Sequence, residues 1–380
     1  MNITSRLPEV GTSIFTVMSR MALEHGAINL SQGFPDFPVS GELVELIYAK
    51  MKAGHNQYAP MPGAPALMKS IAEVVTKTYQ RPTNPETEIT ITTGGSEGIY
   101  ATIAALVKDG DEVIVFDPAY DSYNPTIQLN GGKPVHIKLV APDFSIDWQQ
   151  VRDKITPRTR MIMINTPHNP TGTVLGVADL KMLEQLAIEF GLIVLSDEVY
   201  ERIIFDQKEH QGVLRYPALS AQSVAVFSFG KTFHATGWKM GYTVACETLT
   251  REIRKAHQFI TFSVNTPIQL AMAEYLTNED NYLQLGEFYQ HKRDYFLEQV
   301  KGSGFKPLPS AGSYFQLLSY EGVSGLKETE MAEWMTKEKK LAPIPVSAFY
   351  QDKTDQKLLR FCFAKSEETL EKAGAILRKL

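Results

Sequence analysis

The stretch EITITTGGSEGIYATIAALVKDGDEVIVFD, residues 88–117, decides the fold. EITITT (88–93) is short, apolar and β-branched, and two glycines follow it. Glu97–Val107 then carries apolar residues at helical spacing, and EVIVFD (112–117) starts a second strand. Strand, helix, strand at this spacing predicts a βαβ unit with its two strands parallel. The beat continues through RMIMIN (160–165), a helical segment at Asp179–Phe190, LIVLSD (192–197), VAVFSF (224–229) and YTVAC (242–246). These strands are near-continuous apolar runs rather than alternating ones, which fits burial on both faces. The expectation is an α/β fold, with parallel strands between two layers of helices.

After about Thr266 the texture changes. A long charged helical stretch, Ile268–Val300, leads to SYFQLLS (313–319), a helix near Glu328–Glu338, LAPIPV (341–346), LLRFCFA (358–364) and a closing helix from Glu367. Strands and helices without the βαβ beat predict a smaller α+β unit. The first forty residues lack a core of their own and read as an arm. The expected division is a large α/β domain over 41–270 and a small α+β domain made of 1–40 and 271–380. A chain of 380 residues exceeds what one compact core usually holds, so two units are the starting expectation.

Composition excludes several classes. Apolar residues make up 43% and charged residues 21%, too hydrophobic for a disordered chain. A formal net charge of −5 offers no basic field for nucleic acid or anionic lipid. Two cysteines cannot build a disulfide framework, and no run of eighteen apolar residues spans a membrane. The opening MNITSRLPEVGTS has no apolar signal-peptide core, so a cytoplasmic enzyme is expected. The eight histidines are scattered without paired ligand spacing, so no metal site is expected.

In an open α/β sheet, ligands bind beyond the carboxyl ends of the strands. TTGGSEG (92–98) runs from a strand through Gly94, Gly95 and Ser96 into a helix, whose free N–H groups suit a phosphate. The same residues also spell the G-x-S-x-G elbow of a serine hydrolase, with Ser96 as nucleophile, or a glycine turn that binds nothing. Tyr120, just past EVIVFD, could stack on a flat ligand, although packing in a turn is the simpler reading. In NTPHNPTG (165–172) two prolines hold Asn169 on a rigid turn with its amide available, unless the segment is a simple turn and nothing more. Asp197 ends a strongly apolar strand and needs a cationic or hydrogen-bonding partner, or else caps a helix. Tyr200 follows it. Lys231, in SFGKTFHATGWKMGY (228–242), comes directly after a buried-type strand; desolvation there lowers its pKa and makes the amine nucleophilic, unless it is simply solvated. Ser228 and Lys239 flank it with a hydroxyl and a second cation.

Taken jointly these residues ask for a phosphate, a flat ring, a cationic ring nitrogen, a ring oxygen and a carbonyl. Pyridoxal 5′-phosphate has all five. Lys231 would take its aldehyde as an imine, and Asp197 would keep its pyridine nitrogen protonated. Asn169 and Tyr200 would bond its ring oxygen, Tyr120 would cover its face, and Gly95, Ser96, Ser228 and Lys239 would hold its phosphate.

At this point the chain resembles the fold-type I pyridoxal-phosphate aminotransferases of class I/II. The matching pieces are NLSQGFPDF (29–37), NQYAPMPG (56–63), TTGGSEG, NTPHNPTG, SDEVY, SFGKTFHATGWKMGY and LLRFCFAK, in the family's order. QGFPDF and GWK make methionine and kynurenine (glutamine–phenylpyruvate) aminotransferases the nearest look-alikes. The resemblance implies a large domain with a mostly parallel seven-stranded sheet and a smaller α+β domain. It implies Lys231, Asp197 and Tyr200 as catalytic residues, and Arg360 as the clamp on the substrate α-carboxylate, assisted by Asn169 and the Gly33 backbone. Arg360 already stands out as a charge inside an apolar strand, in want of an anion or of a structural salt bridge. The resemblance further implies a homodimer in which Tyr58 reaches the neighbouring phosphate, and Phe15, Tyr58 and Phe262 as pocket walls. Where much of the family has arginine, this chain has Lys239, which keeps the charge without the bidentate fork.

The implied activity is ping-pong transfer of an amino group from a methionine, aromatic or kynurenine-like L-amino acid to a 2-oxo acid. Two alternatives stand beside it. One is β-elimination from cysteine conjugates at the same site. The other is a hydrolase built on Ser96, with His257 or His291 as its base.

Overall fold

The computed structural model describes residues 3–380. Its thirteen strands, in chain order, are β1 (Ile28–Asn29), β2 (Ile89–Thr92), β3 (Glu112–Asp117), β4 (Lys133–Lys138), β5 (Thr159–Asn165), β6 (Ile193–Asp197), β7 (Ser223–Ser228), β8 (Gly241–Ala245), β9 (Lys306–Pro307), β10 (Phe315–Ser319), β11 (Leu341–Ala342), β12 (Ile344–Pro345) and β13 (Leu358–Cys362). Seven form one sheet in the order β2-β8-β7-β6-β5-β3-β4.

The apolar runs of the sequence are explained by this sheet. Along β3, Val113 and Val115 face one core, with Ile99 and Ile103 of the helix Gly94–Leu106. Ile114 and Phe116 face the other, with Leu180 and Leu183 of the helix Val177–Phe190. Successive side chains of a strand point to opposite faces, so a strand covered on both must be apolar at every position.

Two departures from the sequence reading have physical causes. β8, read as one more parallel strand, is antiparallel to both β7 and β2. The segment joining β7 to β8 holds only the short helices Phe229–Thr232 and Thr236–Trp238, and no helix that crosses the sheet as a parallel return requires. β4 was not anticipated. It lies at the sheet edge beside β3, and only Ile137 of its six residues is buried, so it lacks the apolar run that marks its neighbours.

The second core contains β10, β13 and the helices Leu285–Val300, Glu328–Trp334 and Glu367–Leu377. Its four-stranded sheet has the order β12-β13-β10-β9, with Arg360 of β13 opposite Leu317 of β10. The single long helix expected over Ile268–Val300 is broken. Helix Thr266–Tyr275 ends, and Asn278 turns its side-chain oxygen to the Asp280 N–H (3.2 Å), a local bond that competes with helix continuation. The N-terminal arm packs on this core: Met18 is buried in it, and β1 pairs in parallel with β11. Among the described residues no helix is long and apolar enough to cross a membrane.

Candidate active site

The carboxyl ends of β2, β5, β6 and β7 converge on one cavity of about 280 Å³. Phe15, Gly33, Gly95, Ser96, Tyr120, Asn169, Asp197, Tyr200, Ser228, Lys231, Lys239 and Arg360 all line it.

One end of the cavity is the start of the helix Gly94–Leu106. Gly94 has φ +72°, a conformation that a side chain strains, and a Cβ there would lie 3.3 Å from Lys239 Nζ. The lysine amine therefore stands beside unpaired helix N–H groups and Ser96, an arrangement suited to an anion.

Asp197, at the end of β6, is almost fully buried. The Tyr123 hydroxyl donates to its Oδ2 (2.6 Å), the Val199 N–H donates to Oδ1 (3.3 Å), and Asn165 Nδ2 donates to its backbone oxygen (2.8 Å). Burial outweighs these bonds and the nearby Lys231, and pushes the carboxyl up to about 6. Such a group takes a cationic partner readily. No helix starts at this point, so the capping alternative for Asp197 falls away.

Lys231 lies in the short helix after β7. Its Nζ donates to the Tyr314 hydroxyl (2.8 Å) and the Gly33 carbonyl (3.2 Å), and stands over the Tyr200 and Tyr314 rings. Desolvation lowers its pKa to about 8, with Lys239 and Arg360 acting in the same direction. An amine that gives up its proton near neutrality can act as nucleophile and base. Tyr120 stacks edge-on against Tyr123, and burial pushes its phenol up to about 12, so it is a neutral wall.

Arg360 is fully buried. One terminal nitrogen donates to Asn169 Oδ1 (2.6 Å), the other to the Ser31 carbonyl (2.9 Å), and Nε has no partner. Among the described residues no carboxylate forms an ion pair with it, which removes the structural salt bridge as its explanation. The guanidinium lies 3.9 Å from the Phe315 ring centroid, with Phe15 and Phe349 each at 5.2 Å. Desolvation lowers it to about 10, so it remains a cation in want of an anion. Asn169 is held by its own N–H on Asn165 Oδ1 (2.8 Å) and keeps its amide Nδ2 for the cavity it lines.

Two expected residues are elsewhere. Tyr58 is 81% exposed and Phe262 46%, and their rings meet edge to face at 5.3 Å. Within this chain Phe262 and Tyr58 are not pocket walls; the wall positions are taken by Phe15, Tyr120 and Phe315. Tyr123, Asn165, Tyr314 and Phe315 are site residues that the sequence reading missed. Asn165 carried a usable signal, because it ends β5 as Asp197 ends β6 and the two are register partners.

The hydrolase alternative fails on its base. His257 gives Nδ1 to Glu97 Oε1 (2.6 Å) and Nε2 to the Met61 carbonyl (3.0 Å), so neither nitrogen is free for Ser96. His291 lies on the surface, paired with Glu367. The His257–Glu97 pair is instead a buried brace behind the first turn of the anion-binding helix. Replacing His257 by leucine strands a buried carboxylate and should lower stability by about 3 kcal/mol. A urea midpoint unchanged from the parent protein would contradict the buried pairing.

The donor set fits pyridoxal phosphate: an anion cup at a helix start, a buried carboxyl that favours a cationic partner, a free amide donor and an amine of lowered pKa. Comparison with known proteins agrees. The family model for aminotransferases of class I and II matches residues 25–377. The chain is 48% identical to the methionine aminotransferase of Escherichia coli (strain K12), over 99% of this chain and 98% of that one. It is 31% identical to kynurenine–oxoglutarate transaminase 3 of Homo sapiens, over 98% of this chain and 89% of that one. A solved Escherichia coli structure described as having a methionine aminotransferase function superimposes with a TM-score of 0.98, at 48% identity and over the whole of both chains. The chain belongs to the class I and II aminotransferases, and is a transaminase that works with pyridoxal phosphate.

Proposed function

We propose that this transaminase takes its amino group from an L-amino acid with an uncharged, apolar side chain, namely methionine or an aromatic or kynurenine-like donor. It passes that group to a 2-oxo acid in a ping-pong sequence. One observation carries the reading: Arg360 lines the cavity that also holds Lys231 and Asp197, no carboxylate among the described residues pairs with it, and each of its terminal nitrogens has made only one bond. A carboxylate placed there would satisfy the guanidinium.

Each remaining residue then has a role. Arg360, with Asn169 beside it, orients the donor's α-carboxylate. Asp197 would pair with the cofactor's cationic ring nitrogen, and Tyr123 and Asn165 hold Asp197 in place. Asn169 and Tyr200 would serve the ring oxygen, while Gly95, Ser96, Ser228 and Lys239 would hold the phosphate. Pyridoxal phosphate, when bound, supplies an electron-poor ring that accepts the electron pair left at the donor's α-carbon. Lys231, an amine that gives up its proton near neutrality, would take the proton from that α-carbon and return it in the course of the transfer.

The side-chain preference rests on the walls. Phe15, Tyr120 and Phe315 are aromatic. Gln32 is neutral, and its amide donates to the Phe15 carbonyl and to Ser19 Oγ. Lys239 belongs to the anion cup, so no free cation awaits a second carboxylate among the described lining residues. The exposed Tyr58–Phe262 pair supports a homodimer in which Tyr58 reaches the partner's phosphate cup. Two free thiols support a reducing, cytoplasmic location.

A donor panel tests the preference by following conversion of the bound cofactor from its pyridoxal to its pyridoxamine form in single half-reactions. Methionine, phenylalanine and kynurenine should react readily. Aspartate should be slower by about a hundredfold, because its side-chain carboxylate would be buried without a partner. Equal reactivity of aspartate and methionine would overturn the assignment.

A further inference from the structure

We propose that Tyr314 is a positioning residue for Lys231: its hydroxyl, pinned by the Gly33 carbonyl, accepts a hydrogen bond from the lysine's ε-nitrogen and fixes where that amine rests. The inference deepens the proposed role of Lys231 and rests on it.

Three segments far apart in the chain meet at this point. Tyr314 stands just before β10 and is fully buried. A phenol has one hydrogen, and a backbone carbonyl can only accept. Tyr314 therefore donates to Gly33 O, which leaves the phenol's lone pairs facing Lys231 Nζ at 2.8 Å. Lys231 also reaches Gly33 O at 3.2 Å, so the amine sits against two oxygens whose places are set by other groups.

Both oxygens are held rigidly. A Cβ on Gly33 would lie 2.7 Å from Phe315 Cζ, so the backbone is pressed onto that ring, and only glycine fits. The Tyr314 ring packs edge-on against Tyr200 (5.1 Å between centroids) and Phe315 (4.9 Å), and tilted against Tyr289 (5.6 Å). The Tyr200 and Tyr314 rings also lie under the amine, at 5.5 and 5.4 Å. Burial raises the phenol's pKa well above its ordinary value, so Tyr314 stays neutral and serves as acceptor rather than as counter-ion.

The consequence can be measured on the lysine itself. A neutral oxygen stabilises an ammonium more than an amine. Tyr314 therefore opposes the burial, Lys239 and Arg360, which favour the neutral lysine, and acts with Asp197 and Cys362, which favour the charged one. Tyr314→Phe keeps the ring and removes only the acceptor. In the full-length apoprotein, acylation of Lys231 by acetic anhydride, quantified by peptide mapping across pH, should show a midpoint lower by about one pH unit in that variant. Below both midpoints the labelling rate should rise about tenfold. Tyr289→Phe removes a hydroxyl that bonds His234 instead, and should leave the midpoint where it was.

In the holoenzyme, Tyr314→Phe should lower kcat about tenfold with the donor KM nearly unchanged, because proton transfer suffers and binding does not. An unmoved labelling midpoint in Tyr314→Phe, or an equal move in Tyr289→Phe, would overturn the inference. Borohydride reduction and mapping of the pyridoxyl tag separates the two levels. A tag on Lys231 with an unmoved midpoint defeats this inference alone, whereas a tag on another residue defeats the proposed function beneath it.

Discussion

Replacing Lys231 with alanine should lower transamination by about 10⁴-fold while the protein stays folded and still binds its cofactor. The loss follows from what the amine is proposed to do, since it is both the covalent anchor and the group that moves the α-proton. General acid–base catalysis alone accounts for about 10² to 10⁴, and a factor of 10⁴ corresponds to about 5.4 kcal/mol of barrier. Folding should be spared for reasons visible around the side chain. Tyr314 still donates to Gly33 O without the lysine, so no buried polar group is orphaned. The substitution also removes one of three cations gathered in the cavity, with Lys239 and Arg360 remaining. The phosphate cup and Asp197 are untouched, so equilibrium dialysis should find retained but weakened cofactor binding. Single-turnover reaction of methionine with the loaded variant is the decisive measurement. A rate within tenfold of the parent enzyme would remove Lys231 from the mechanism.

How much of this site was legible beforehand depends on where each group's partners lie in the chain. Lys231, Asp197 and Asn169 sit at strand ends, where a polar residue after an apolar run is visible to the eye. Their places follow from the sheet, whose strands announce themselves because both faces are covered. Arg360 was visible for the opposite reason, as a charge within a run otherwise fit for a core. Tyr123 and Tyr314 gave no comparable signal. Each is an aromatic residue among others, and each acts through one hydroxyl on a residue 74 or 83 positions away. Nothing local distinguishes such a hydroxyl from a packing ring. Tyr58 and Phe262 lie outside the cavity of their own chain for a related reason. Their motifs were recognised, but the loops that carry them turn the two rings outward against each other.

The strand count shows the same limit in the fold. β8 was found as a strand because it is buried, but its direction depends on the short helices before it rather than on its own residues. β4 was missed because an edge strand has one covered side and no need of an apolar run. Burial is written in composition. Direction and edge position are not.

Asp197 brings stability and function into opposition, and Asp197→Asn should separate them. The carboxyl is raised to about 6 in the folded apoprotein from an ordinary value near 3.8, chiefly by desolvation. A folded value above the unfolded one means that the native state holds the proton more tightly. The apoprotein therefore loses stability as pH rises from about 4 to about 6, and above that range it carries the full cost of a buried charge. Two pH units correspond to about 3 kcal/mol. Asparagine has nearly the same shape and no charge. Its side-chain oxygen can still accept from Tyr123, and only the longer bond from Val199 is given up. The variant apoprotein should thus unfold at a higher urea concentration at pH 8, by about 2 kcal/mol, and this advantage should disappear by pH 4. Its half-reaction with methionine should meanwhile be slower by at least about a hundredfold, because an amide cannot keep the pyridine nitrogen protonated as a carboxylate does. Urea titrations at the two pH values and single-turnover rates test both halves. A variant less stable than the parent at pH 8 would show that Asp197 is not desolvated as described, and one of undiminished rate would show that its charge has no part in the chemistry.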